Sequence, residues 1–226
     1  DTTITFAEVT DPGLTTATVT ETPIDPVDPE PTNFQFIDEY YSISTTASTI
    51  GSITIQIHYE DAEVPDGNED ALKLLHWESG HWVDITTGID KDNNVITGQC
   101  TALSSFVIGS GPKLEGLLPP VNNDGSSIFK LNSTVPVKFK LTAADGSLLT
   151  TADARLAVAP VSDQIVGRYE EAASTNAPDA GNAFHYDPEE QQYVFNLGTK
   201  GRAPGTYSLK VSVNGVVMKE VWISLR

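Results

Sequence analysis

The sequence predicts an all-β fold built from antiparallel sheets. Apolar and polar side chains alternate in Val135-Pro136-Val137-Lys138-Phe139-Lys140-Leu141, which places the apolar ones on one face of a strand. Segments of this kind recur along the 226 residues, separated by many of the 17 glycines and 14 prolines. No apolar run reaches the roughly 18 residues of a membrane-spanning helix. The pattern favours β-sandwiches, and no membrane insertion is expected.

The first 22 residues contain two extended segments, residues 2–10 and 14–21, joined by the turn Asp11-Pro12-Gly13. The sequence therefore predicts an N-terminal hairpin. Its expected buried anchors, which would also form an interface if the hairpin packs in a neighbouring subunit, are Ile4, Phe6 and Val19. Residues 23–31 follow with four prolines, which favours an extended, semi-rigid linker or crossover.

The rest of the first half predicts a series of short strands. Asn68-Glu69-Asp70-Ala71-Leu72 is the one helical turn expected among them, with Asn68 as its N-cap. The expected strands are residues 34–37, 40–44, 53–59, 72–77, 82–86, 95–99 and 105–108. They end at Gly109-Ser110-Gly111-Pro112, where the charge balance also changes. We expect two domains, residues 1–110 and 113–226.

The second half predicts another set of strands. The segment Asn214-Gly215 is typical of a two-residue type I′ turn, so the last two strands should form a tight hairpin. The expected strands are residues 135–141, 148–158, 193–197, 206–213 and 216–225.

Several segments of the second half resemble the PxKF repeat domain of secreted bacterial and archaeal proteins. They are Ile128-Phe129-Lys130-Leu131-Asn132-Ser133-Thr134, Val135 to Leu141, Asp145-Gly146, Phe195 to Gly201 and Gly205 to Val211. Asn132 departs from the pattern, which usually has glycine there, and this concerns only the geometry of a turn. The resemblance implies a secreted β-sandwich and gives no chemistry.

The first half resembles a second module of secreted multidomain bacterial proteins, with the pattern LHYE-dG-WVDVT. The resemblance lies in residues 74–87, continues through Ile89-Asp90, Gly98 and residues 103–108, and includes early strands at residues 5–9 and 40–47. Members often carry two cysteines where this chain has Gln56 and Thr97. The two resemblances together imply two tandem Ig-like antiparallel β-sandwich domains in an extracellular or cell-surface protein.

Charge is concentrated in the first half. The net charge of the chain is −18, and residues 1–111 contain 19 acidic and only 2 basic side chains. Such a surface repels phosphate backbones and anionic lipids, so binding to nucleic acids or membrane surfaces is not expected. Solubility, cation binding or docking to a basic neighbour remain open.

The single cysteine, Cys100, rules out an internal disulfide, so stability must come from core packing. Because no Lys, Arg or His is adjacent in sequence, we interpret Cys100 as a buried small apolar residue rather than a reactive thiol.

No catalytic motif is present: the sequence has no nucleophile elbow, phosphate-binding glycine loop or helical His-x-x-x-His pair. We therefore expect no enzymatic activity. His76, His81 and Asp84 could bind a metal across a hairpin, but surface histidines on polar strand faces are the commoner case.

The best candidate for a cation site is the acidic loop between two of the expected strands, because crowded oxygen ligands suit calcium. It lacks EF-hand spacing, so a solvated acidic loop is the alternative. The candidate ligands are Asp61, Glu63, Asp66, Asn68 and Asp70. A second group, Asp90, Asp92, Asn93 and Asn94, fits a turn equally well.

Trp222 is expected on the outward face of its strand, since Val221, Ile223 and Leu225 have the inward phase. An outward tryptophan suggests an interface, with partial cover by a loop or by the other domain as the alternative.

These features predict a secreted, non-enzymatic structural protein, a subunit of a filament or surface appendage assembled by strand exchange between sandwiches. Its partner would be further copies of itself, head to tail, or neighbouring surface domains. The alternative is that residues 1–22 complete their own sandwich. The second class of function is an adhesin or accessory module that binds calcium, or polysaccharide through aromatic rings such as Trp77, Trp82 or Tyr186.

Overall fold

The computed structural model describes residues 1–22, 31, 33–175 and 181–226. The chain divides into two compact units, Asp1–Pro112 and Lys113–Arg226. Strands dominate both units, and the described residues contain no α-helix. The all-β, double-sandwich fold class is confirmed. The expected linker, apart from Pro31, lies outside the described residues, and within those residues no helix is long and apolar enough to span a membrane.

The first unit consists of two antiparallel sheets. Its strands are β1 (Thr2–Asp11), β2 (Thr15–Thr20), β3 (Gln35–Thr45), β4 (Ser48–His58), β5 (Leu72–Glu78), β6 (His81–Asp84), β7 (Thr86–Asp90), β8 (Val95–Cys100) and β9 (Ser105–Ser110). In one sheet the neighbours are β1-β4-β8-β7, and in the other they are β2-β3-β9-β5-β6.

Alternating apolar residues from both sheets form the core of the first unit. Ile53, Ile55 and Ile57 on β4 are at most 2% exposed, and from the other sheet Leu74 and Phe106 join the same cluster. The intervening residues of β4 face outward, which is the alternation that the sequence predicts.

The expected N-terminal hairpin is wrong. β1 pairs with β4 in one sheet, whereas β2 pairs with β3 in the other. The connection passes very close to the backbone of the β3–β4 turn: a Cβ on Gly13 would lie 2.3 Å from the Ala47 nitrogen. A turn sequence fixes where the chain bends but not which strands become neighbours, and the two sheets each take one segment as an edge strand.

Three 3₁₀ turns replace the single helical turn expected near Asn68. They are Asp61–Glu63, Pro65–Gly67 and Glu69–Ala71, and the Asn68 side chain makes no capping hydrogen bond to the third. Pro65 and the left-handed Asp66, with φ of 55°, keep these turns short and separate.

The second unit is also a two-sheet sandwich. Its strands are β10 (Leu117–Leu118), β11 (Ser127–Phe129), β12 (Thr134–Phe139), β13 (Ala154–Ser162), β14 (Ile165–Val166), β15 (Glu170–Glu171), β16 (His185–Asp187), β17 (Gln192–Gly198), β18 (Gly205–Val213) and β19 (Val216–Leu225). One sheet has the order β10-β12-β17-β16 and the other β14-β13-β18-β19. β11 runs parallel to β19, and β15 pairs with β13.

The strand expected over residues 148–158 begins later, at Ala154. The preceding residues fold back on themselves: Ala143 donates to the Ser147 carbonyl and Leu149 to that of Leu141. Gly146 makes this possible with a φ of 81°.

The strand at residues 135–141 has the expected orientation. Val135, Val137, Phe139 and Leu141 are fully buried, and the Phe139 ring stacks on Tyr193 at 5.2 Å. The turn geometries also agree with the sequence: Asn214 and Gly215 both have positive φ, as a type I′ turn requires. Asn132 adopts the left-handed conformation that glycine favours, with a φ of 58°.

Candidate assembly edges of the first unit

β1 lies along the edge of its sheet, with its inward side chains against β4. Ile4 is opposite Ile55, and Phe6 is opposite Ile53. Both inward residues are partly buried and pack against the core. Beyond Phe6 the pairing is irregular at two positions, and Glu8 and Asp11 occupy this stretch. Such bulges twist a strand and weaken its regular edge.

β2 lies along the edge of the other sheet. Ala17 is opposite Ile43 and Val19 is opposite Tyr41, so these two β2 residues face the core side. Val19 nevertheless remains 48% exposed, because no described strand lies beyond β2 to cover it. Val19 is therefore a weaker anchor in the single chain than its apolar character suggested.

Main-chain and hydroxyl hydrogen bonds attach both edge strands to their neighbours. Asp1 accepts a backbone bond from His58 at 2.9 Å, and Leu14 accepts one from Thr46 at 2.9 Å. Hydroxyl pairs add to this on β2, where Thr16 and Ser44 are 2.9 Å apart. No residue of β1 or β2 is fully buried.

Trp222 faces outward, as its strand phase predicts, because Val221, Ile223 and Leu225 lie in the core of the second unit. It is opposite Ser208 on β18. Trp222 is half-buried, and the backbone near Gly125 lies beside it: a Cβ there would be 3.8 Å from the Trp222 Cβ. The side chain thus has partial cover from a loop of its own unit.

The candidate calcium ligands do not converge in the structure. Asp61 accepts a hydrogen bond from the Asn94 amide at 2.8 Å, and Asp70 pairs with Lys91 at 2.6 Å. Among the described residues, no three His, Cys, Asp or Glu side chains are placed to hold a metal ion. Calcium binding by Asp61, Glu63, Asp66, Asn68 and Asp70 would therefore require the loop to rearrange.

The second candidate group for a cation, Asp90 to Asn94, forms a turn, which was the other structure that its sequence fitted. The Asp90 carboxylate accepts hydrogen bonds from the backbone and side chain of Asn93, at 3.2 and 2.8 Å. These bonds hold the pKa of Asp90 below its usual value.

The histidine cluster is not assembled either. One carboxylate oxygen of Asp84, Oδ2, lies 3.7 Å from the Lys73 ammonium. The other, Oδ1, accepts a hydrogen bond from the Thr86 backbone amide at 3.0 Å. His76 is 1% exposed and stacks on Phe106 at 4.6 Å. Neither of its ring nitrogens has a hydrogen-bond partner in the described structure. Burial lowers the pKa of His76, so the imidazole is held neutral in the core.

Cys100 is 9% exposed, in agreement with its interpretation as a buried residue. Burial raises the pKa of its thiol to about 11. A thiol with such a pKa is almost entirely protonated at neutral pH and a poor nucleophile.

The aromatic rings suggested for polysaccharide binding are not freely exposed. Trp82 is only 3% exposed and packs edge-on against Trp77 at 5.2 Å. Tyr186 is half-buried and packs edge-on against Tyr193 at 5.3 Å. Sugar-binding platforms need an accessible ring face, and this set offers none that is fully open.

Two buried tyrosine–glutamate pairs were not foreseen from the sequence. Tyr41 donates a short hydrogen bond to Glu39, and Tyr59 donates to Glu69 at 2.6 Å. Burial and the neighbouring carboxylates raise the pKa of both hydroxyls. Glu39 and Tyr41 are two residues apart on one strand and therefore share a face, which is the feature from which the sequence could have predicted this pair.

Comparison with known proteins gave only distant matches to solved structures. No family model matches the sequence, and no curated protein matches it. A marsupial T cell receptor structure is 10% identical, with a TM-score of 0.27 over 77% of this chain and 68% of that one. A structure of titin domains I67–I69 is 10% identical, with a TM-score of 0.24 over 85% of this chain; the chain spans 59% of that titin chain.

Proposed function

We propose that this chain is a non-enzymatic, secreted structural protein, a subunit of an extracellular filament or appendage in which residues 1–22 exchange between copies. The observation that supports this is the position of the segment. Each of its two strands forms one edge of a sheet of the first unit: β1 in one sheet and β2 in the other. An edge strand can leave and be replaced without opening the sheet between other strands.

Energetics also permit exchange between copies. A strand that leaves its own sandwich for an identical one makes the same contacts again, so the net cost is small. Full burial of Ile4 or Phe6 would contribute about 1.5–3 kcal/mol each, and their partial exposure reduces this.

An open polymer follows if each copy donates its segment to the next one. The four prolines in residues 23–31 favour an extended, semi-rigid linker, which suits a tether between a donated segment and its donor.

Mixed single-cysteine variants test the exchange directly. Thr3 lies opposite Gln56, and the Cα atoms of such a pair are close enough for a disulfide. We would prepare Thr3→Cys and Gln56→Cys on separate chains, both with Cys100→Ser, and oxidise the mixture. Disulfide-linked heterodimers on a non-reducing gel are expected if β1 of one chain lies along β4 of another.

The matched control replaces Gln56→Cys with Thr97→Cys, which lies one strand further from β1 and should not crosslink to Thr3→Cys. A single chain carrying Thr3→Cys and Gln56→Cys reports where the strand lies. If this double variant forms only intrachain disulfides under conditions in which the mixture gives no heterodimers, β1 stays in its own copy and the filament proposal fails.

A further inference from the structure

The outer edge of β2 presents a regular row of main-chain groups. The Leu14 carbonyl accepts its bond from Thr46 and so points toward β3, whereas the Ile43 amide donates to Ser104, away from β2. Because Ile43 is opposite Ala17, the alternation of an antiparallel ladder turns the amide and carbonyl groups of Thr15, Ala17 and Val19 away from β3. Among the described residues no strand pairs with this outer edge.

β2 lacks the features that protect other edges. β1 has two irregular positions with Glu8 and Asp11, and β7 has one irregular position and ends in Asp90. β2 is regular over Thr15–Thr20, with no charge, proline or bulge. Regular, uncharged edges are the ones to which another strand adds most readily.

We propose that two copies of the chain pair through β2, antiparallel and symmetric about Ala17, to form one continuous sheet across a two-fold axis. In this register Ala17 meets Ala17 of the second copy, and Thr15 meets its Val19. The outward amides and carbonyls of these three residues then bond to one another. A symmetric edge contact of this kind is isologous and closes after two copies.

The uncharged β2 edge and its exposed apolar residues suit a second copy as the partner. The first half is strongly acidic, so identical copies repel each other wherever carboxylates meet. The β2 pairing avoids this, since it places no carboxylate opposite another: Glu21 faces Gly13. It also covers Val19, 48% exposed, and brings Leu14, 69% exposed, to the margin of the contact.

This inference does not depend on strand exchange. β2 presents the same outer edge whether it lies in its own sheet or in that of a neighbouring copy. The dimer contact would join chains side by side, whereas exchange would join them head to tail.

Ala17→Pro tests the contact in the intact chain by sedimentation equilibrium. The Ala17 amide points outward, so proline there removes a bond of the dimer and none of the β2–β3 bonds. With exchange blocked by the intrachain Thr3→Cys/Gln56→Cys disulfide in the Cys100→Ser background, we expect a reversible dimer and the loss of that dimer in Ala17→Pro, with an unchanged melting temperature. Thr18→Pro is the matched control: its amide faces Ser42, so it should lower the melting temperature.

Val19→Lys provides a second, independent variant, since a charge on the edge opposes pairing without altering the backbone. It should also abolish the dimer. A monomer at every soluble concentration of this crosslinked protein, or a dimer that persists in both Ala17→Pro and Val19→Lys, would overturn the proposal. The heterodimeric disulfide between Thr3→Cys and Gln56→Cys should survive Ala17→Pro, so failure of the β2 contact and failure of exchange are separately visible.

Discussion

Gln56 on β4 and Thr97 on β8 lie directly opposite each other on the outer face of the first unit, and the Gln56 amide donates to the Thr97 hydroxyl at 3.4 Å. Tyr59 donates its backbone bond to Asn94 in the same register. The alternation of the ladder therefore makes Gln56 and Thr97 a non-hydrogen-bonded pair, the type with the closest side chains. The module with the LHYE-dG-WVDVT pattern, which the first half resembles, often carries cysteines at these two positions.

The double variant Gln56→Cys with Thr97→Cys should form a cross-strand disulfide on oxidation, because the pair has the required separation. The chain-entropy model gives about 4 kcal/mol of stabilisation for a loop of this length. Urea unfolding with and without reductant measures it. Gln56→Cys with Gln99→Cys is a diagonal pair with more distant Cβ atoms, and it should remain reduced; equal oxidation of both would show that the register is wrong.

His76 should make the first unit sensitive to mild acid. Burial lowers the pKa of His76 in the folded chain, whereas the unfolded value is about 6.5. The unfolded chain therefore binds a proton that the folded chain does not, and stability falls as the pH drops below about 6.5. Glu78, 3.9 Å from Nδ1, opposes this only in part.

His76→Phe should flatten this pH dependence because it removes the imidazole, and the new ring can keep the stack on Phe106. It also removes two buried nitrogens that have no hydrogen-bond partner. Urea unfolding at neutral and mildly acidic pH gives the slope for each protein. The control variant is His58→Gln, which removes a histidine whose side chain is 40% exposed and lies 3.8 Å from Glu60, so the two substitutions compare a buried with an accessible imidazole. If the slopes of His76→Phe and the unaltered protein coincide, His76 is not the group that titrates.

Phe139 and Lys138 are adjacent on β12 but face opposite sides of the second unit. Phe139→Ala should cost about 3–5 kcal/mol of unfolding free energy, because its ring contacts Phe184 and Tyr193 in the core. Lys138→Ala should change it by no more than about 0.5 kcal/mol. Urea denaturation measures both, and similar losses would contradict the assigned faces.

Calcium binding by the acidic loop stays a prediction of the sequence. If the loop binds calcium, the ion must displace Lys91 from Asp70. Lys91→Ala should then tighten calcium binding and Asp66→Ala should weaken it, both measured by isothermal titration calorimetry. Absence of a calorimetric signal in the unaltered protein and in Lys91→Ala would exclude the site.

Local alternation allowed much of the fold to be predicted. The phase of Val135, Val137 and Phe139, and that of Val221 and Ile223, agrees with their burial. The turn at Asn214-Gly215 also agrees, because a positive φ at two successive positions is a local requirement. Such features depend on a few neighbouring residues and need no knowledge of the rest of the chain.

The partners of the strands were not predictable in the same way. The turn at Gly13 was expected to join a hairpin, yet β1 and β2 lie in different sheets. The Asp70 carboxylate pairs with Lys91, 21 positions further along the chain, a partner that the acidic loop sequence does not predict. Both outcomes depend on contacts between segments distant in sequence.

The sequence by itself determined the class of this protein: strands, their inward and outward faces, and several turns follow from a side-chain period of two and from residues that permit positive φ. Only the tertiary structure decided which edges remain open. Thr15, Ala17 and Val19 present their amides outward because β3 bonds to the other side of β2. Strand alternation is a local property of the backbone, whereas the pairing of edges is a competition among all strands for hydrogen bonds and apolar burial.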